Sequence, residues 1–168
     1  TGFMVLDAFE KASNIHFEDK RFGFIAETTL KGRKLILLKP TTFMNLSGNA
    51  VRYWLNKENI DQSRLLVISD DIALPLGAFR LKANGNNGGH NGLGHIQQLI
   101  GSNYARLRMG IGNDYPKGGQ VDWVLGKYDD NDKTILQPSI NIACDIIKNF
   151  ALAGIDITMN QFNKLGKK

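Results

Sequence analysis

Residues 84–94 read NGNNGGHNGLG and set one imidazole, His90, beside one amide, Asn91, in a run otherwise rich in glycine and asparagine. Glycine is costly to order but lets the backbone approach a neighbour closely, so this run points to backbone near a ligand or in a tight turn. Upstream, RLLVISDD ends in Asp70 and Asp71. A continuous apolar run closed by carboxylates predicts a central strand buried on both faces, with function at its carboxyl end. Asp70 at that edge can orient an imidazole and stabilise its protonated form, as general-base catalysis requires. Asn45 and Asn91 add amide donors for a carbonyl or a developing oxyanion. Spacing alone leaves a plainer account open, in which Asp70 caps a turn and both asparagines satisfy backbone groups.

Other chemistries fit less well. His90 and His95 fall about 140° apart on a helix, so they do not share a metal-binding face, and no metal or other cofactor is expected. His95 reads as an ordinary helix residue and His16, in NIHFED, as an exposed one. Neither nucleotide-loop pattern occurs, although the run could still offer backbone N–H groups at the start of the next helix. A nucleotide-binding α/β enzyme therefore remains a distant rival. A nucleophile elbow around serine is also absent. Two alternating stretches put Arg80 with Lys82 and Arg106 with Arg108 on shared faces. Together they could make a cationic patch that binds phosphates in a salt-dependent way, or simply a solvated face.

The surrounding elements must place these groups. TGFMVLDAFEKAS carries Phe3, Met4, Leu6 and Phe9 at helical spacing. RFGFIAETTL and RKLILLKP read as two strands joined by a turn at Lys31-Gly32, the second ended by Pro40. Phe43, Leu46, Ala50, Trp54 and Leu55 predict a helix starting near Met44 or Asn45. LGHIQQLIG predicts a helix closed by Gly101, and QVDWVLGKY a short strand. Leu136, Ile140, Ala143, Ile147 and Phe150 mark a long helix stopping at Gly154, after which Asp156 is expected to cap a last short helix. Strands and helices interleave without repeats, which predicts one α/β domain over residues 1–168 with a mixed, mostly parallel sheet.

The chain has 168 residues, 42% hydrophobic and 22% charged, which suffices for one full core and carries no signature of disorder. A formal charge of +5 favours polyanionic partners such as RNA or DNA. Cys144, the one cysteine, sits in an apolar stretch and reads as a small buried hydrophobe in a reducing compartment. No run is long enough to span a membrane and no signal-peptide pattern is present, so no membrane partner and a cytoplasmic location are expected.

Four segments, KPTTFMNLSGNAV (39–51), DDIALPLG (70–77), GGHNGLGHI (88–96) and RLRMGIG (106–112), together resemble bacterial-type peptidyl-tRNA hydrolases. The resemblance implies a single domain with a twisted mixed sheet between helices, acting as a monomer on peptidyl-tRNA. The reaction implied is cleavage of the ester joining a peptide to the 3′ ribose of its tRNA, which returns the tRNA to translation. By the resemblance, Asn45 positions the substrate carbonyl and water, flanked by Phe43 and Met44. Asp70 holds the catalytic histidine in its basic form, and Asn91 contacts the tRNA end and the ester. His90 lines the cleft as a second histidine, and Lys82 with Arg108 clamps a tRNA phosphate. The family's base is a histidine placed directly before the helix that here begins TGFMVLD, so it is expected just upstream of Thr1. A first strand and loop, on the order of twenty residues, are expected there too. A non-catalytic RNA-binding relative of the same fold is the alternative.

Overall fold

The computed structural model describes residues 2–41, 47–84, 91–112 and 130–166. Phe43, Met44, Asn45 and His90 lie outside the described residues, as do the expected start of the second helix and the strand expected in QVDWVLGKY. Of Asn91 only the backbone is described.

Helix α1, Gly2–Ser13, leads into an antiparallel sheet of β1 (Glu18–Lys20), β2 (Gly23–Leu30) and β3 (Arg33–Pro40), in that spatial order. The β2–β3 turn is the two-residue Lys31-Gly32, with φ of 47° and 82°. Both central residues are left-handed, the twist that matches flanking strands, and glycine supplies it without a Cβ penalty. Helix α2 (Ser47–Lys57) then precedes β4 (Leu66–Asp71) and β5 (Phe79–Lys82). After α3 (Asn91–Ile100) and β6 (Ala105–Gly110), the chain ends in a long helix α4 (Asp130–Ala153) and α5 (Ile155–Phe162). The second sheet has the order β4-β6-β5, with β4–β6 parallel and β5–β6 antiparallel.

Helices cover both faces of this second sheet. On one face Val5 and Phe9 of α1 and Leu136, Ile140, Ala143 and Ile147 of α4 pack against Phe79, Leu81, Leu107 and Met109. On the other, Val51 of α2 and Ile96 of α3 pack with Tyr104, Leu65 and Val67. The α/β class and the mixed sheet stand as expected.

Several expectations need correction. Only β4–β6 is parallel among the described pairings, because the short hairpin turn forces β2 and β3 antiparallel. Among the described strands β6 is the middle one of the second sheet and β4 an outer one, its first three residues half-buried. Alternating arginines disguised β6 as a half-exposed strand. In α1 Phe9 is fully buried and Met4 and Leu6 pack partly buried against the same core as expected, but Val5 is the second fully buried residue and Phe3 is exposed. Helix α5 starts from Gly154, which makes no side-chain cap, and Asp156 sits inside its first turn, where the helix dipole favours a carboxylate.

Candidate active site and phosphate contact

Strand register decides which predicted groups can meet. Partners across a ladder point to the same face, and neighbours along a strand point to opposite ones. Asp70 pairs with Met109, which pairs with Phe79, and both of those are core residues beneath α1 and α4. Asp70 therefore stands on the sheet face that α1 covers, at the carboxyl end of β4. Ser69 pairs with Arg108, Arg108 with Arg80, and Arg106 with Lys82. All four basic residues therefore share the opposite face, the one packed by α2 and α3.

That shared face is not a uniform patch. Arg80 is exposed and Lys82 half-buried. Arg106 is fully buried, its guanidinium 4.2 Å from the Tyr104 ring and donating through Nη2 to Ser102 O at 2.9 Å. Burial lowers the Arg106 pKa from its ordinary value and raises that of Tyr104, which the positive charges of Arg106 and Arg108 oppose. The role of Arg106 is thus internal: it ties the chain just after α3 to the central strand. Arg108 faces Asp71, with Nη1 3.7 Å from Oδ2 and side chains only 15% and 16% exposed. A pair this shielded is held in one place, so Arg108 is an oriented cation and not a mobile surface charge.

A tight turn fixes Asp70 and Asp71 at the strand end. Ala73 N donates to Asp71 Oδ1 at 2.8 Å, and Ile111 N donates to Asp71 O at 3.1 Å. Gly112 N donates to Leu74 O at 2.9 Å, so residues 71–78 fold back over the end of β6. Gly110 permits this crossing, since a Cβ there would lie 2.0 Å from Pro75 O.

Lys82 is positioned from the far edge. The Asn163 side chain accepts from Leu81 N at 2.8 Å and donates to Leu81 O at 2.9 Å, as a neighbouring strand would. Asn91 opens α3, at the helix end where the backbone dipole favours negative charge. His16 is exposed as expected. Cys144 is half-buried and lies 3.8 Å from Val5 O, and burial pushes its thiol pKa up, which suits a packing role.

Sequence reasoning missed Asp71 as the partner of Arg108, the burial of Arg106, and Asn163. The DD pair and the alternating arginines carried a signal for the first two. An asparagine in a basic tail carried none.

Comparison with known proteins adds a family. The profile of the family described as Peptidyl-tRNA hydrolase matches residues 1–168. A peptidyl-tRNA hydrolase of Bacteroides fragilis is 59% identical over 164 residues, covering 97% of this chain and 88% of the relative. One of Phocaeicola vulgatus is 60% identical with the same coverage. The crystal structure of peptidyl-tRNA hydrolase from Acinetobacter baumannii is 31% identical, with a TM-score of 0.88, and the match covers 96% of this chain and 83% of that one.

Proposed function

Starting from a chain that belongs to the peptidyl-tRNA hydrolase family, we propose that it hydrolyses the ester between a peptide and its tRNA, using Asp70 to stabilise the imidazolium of a histidine that precedes Thr1. Water attacks the ester carbonyl while that histidine takes its proton, and Asp70 supplies the opposite charge as the imidazolium forms. Asn45, flanked by Phe43 and Met44, and Asn91 hold the carbonyl and the oxyanion, and His90 lines the cleft. Lys82 and Arg108 hold a phosphate of the tRNA.

The observation that carries this reading is the place of Asp70, at the carboxyl end of β4 on the face that α1 covers. In this reading the base enters on the segment leading into α1, the helix that covers the face where Asp70 stands. The orientation of Arg108 by Asp71, and the fixing of β5 beside Lys82, support a phosphate site on the opposite face of the same sheet. In this reading the protein works as a cytoplasmic monomer. Its single cysteine is unpaired, and no helix among the described residues is long and apolar enough to cross a membrane.

The test is peptide release from N-blocked aminoacyl-tRNA by the 168-residue chain beside a form extended upstream. Activity confined to the extended form supports the reading, and Asp70→Ala or Asn91→Ala in that form should each lower turnover roughly 100-fold or more. Equal activity of the short chain would move the base to His90. Binding of tRNA without hydrolysis by either form would favour a non-catalytic RNA-binding relative.

A further inference from the structure

We propose that the edge formed by Arg21, Tyr53 and Lys57 is a second contact for the RNA part of the substrate, apart from the Lys82–Arg108 phosphate site. This rests on the reading that the substrate is an ester of tRNA. Arg21 and Phe22 form the turn before β2, and Tyr53, Trp54 and Lys57 lie along α2. The Arg21 guanidinium sits 5.2 Å from the Phe22 ring and 5.3 Å from the Tyr53 ring. The Lys57 ammonium sits 4.8 Å from the Trp54 ring and 6.0 Å from that of Tyr53. Phe22 meets Tyr53 edge-on at 5.4 Å, and Tyr53 meets Trp54 edge-on at 5.3 Å. The result is a row of rings with an exposed cation at each end.

Lys20 pairs with Glu18, Lys34 with Glu27 and Glu58, and Lys39 with Asp7, while Lys39 also stands over a pair of phenylalanines and Lys148 over a single one. At this edge the cations answer rings. A ring restrains a cation without cancelling its charge, so the charge stays available to an anion and loses little freedom on binding. The backbone also bears a cost here. Phe22 adopts φ of 65°, an outlier for a bulky residue. Trp54 Nε1 donating to Arg21 O at 2.8 Å, and Thr41 N donating to Phe22 O at 2.9 Å, hold it there.

Location selects the partner. Thr41 and Ser47, the described residues on either side of the segment bearing Asn45, connect to this edge through Phe22 and through α2. Tyr53 lies about 9 Å along α2 from Ser47, taking the rise of a regular helix. Lys57, at the far end of α2, lies about 15 Å from Ser47 by the same rise, and cations held along the helix that follows the Asn45 segment suit the phosphates of the nucleic acid that carries the ester.

The experiment is fluorescence anisotropy of labelled deacylated tRNA with the 168-residue chain across a series of KCl concentrations. Arg21→Gln/Lys57→Gln should raise Kd about ten-fold near ~0.1 M salt and lower the slope of log Kd against log salt by about 1.5. Arg21→Lys/Lys57→Arg should keep the slope, and Lys34→Gln, a carboxylate-paired lysine, should change neither quantity. Unchanged Kd and slope in the glutamine variant would overturn the contact while leaving the enzymatic reading intact. An equal loss in the charge-conserving variant would overturn it in favour of a packing role, and competition by polyglutamate as strong as by RNA in favour of an acidic peptide. Absence of tRNA binding by the parent chain would overturn both this contact and the reading beneath it.

Discussion

Arg106 is the sharpest test of how the central strand is held. Its side chain is wholly buried, with one guanidinium nitrogen donating to Ser102 O and the plane against Tyr104. A charged donor's hydrogen bond contributes about 1.5–3 kcal/mol and a desolvated cation–ring contact about 2 kcal/mol. Arg106→Met keeps most of the aliphatic stem and forfeits both, while relief from burying a charge offsets part of the loss. The expected net destabilisation is about 1–3 kcal/mol. Arg106→Ala also removes the buried methylenes, each contributing about 0.8 kcal/mol, and should cost about 3–5 kcal/mol in all. For a chain of this size that corresponds to a fall in Tm of about 6–20 °C. Urea denaturation of both variants, and of a double-mutant cycle with Tyr104→Leu, measures the terms separately. An Arg106→Met protein as stable as the parent, with no coupling to Tyr104, would refute the argument that the guanidinium ties β6 to the chain after α3.

Three further outcomes follow from the same geometry. Gly110→Ala should destabilise by about 3 kcal/mol and lower activity with it, because the added methyl meets the Pro75 carbonyl and must displace the turn carrying Asp71; chemical denaturation and single-turnover hydrolysis check the two parts. Asn163→Ala should cost about 1–3 kcal/mol and speed hydrogen exchange at the Leu81 amide, which mass-resolved exchange can read. The Cys144 pKa is raised by burial, so at a given pH near 8 its thiolate fraction is smaller in the folded than in the unfolded chain, and a thiol reagent should label the native protein more slowly. Equal rates with and without urea would refute that.

The elements were legible where local chemistry decides them. Lys31-Gly32 wrote its hairpin turn, the spacing of Leu136, Ile140, Ala143 and Ile147 wrote the long helix, and Gly101 marked a helix end. Family-specific runs such as FMNLSG and GGHNGL carried the functional class, since few contexts require those residues in that order. What stayed illegible were relations between distant segments. An arginine reads as a surface residue until a tyrosine two positions earlier takes its charge against a ring, as Tyr104 does for Arg106. A strand looks central when its own run is apolar, yet among the described strands β6 is the one with a neighbour on each side, a relation its own sequence does not carry. Asp71 was overshadowed by Asp70, although alternation along one strand sends the two carboxylates to opposite faces with different partners.

The amide of Asn163 that closes the outer edge of β5 also orders events during synthesis. The β2–β3 hairpin joins neighbours in sequence and can form as soon as it is made, whereas Asn163 and Leu81 are 82 residues apart. Contacts of such separation form late and slow the approach to the native state. On the ribosome, where the chain emerges from its N-terminal side, the bonds that residues 163–166 make along β5 form only after that segment has left the exit tunnel. The edge of β5 is thus sealed by a segment made 82 residues after the strand residue it holds.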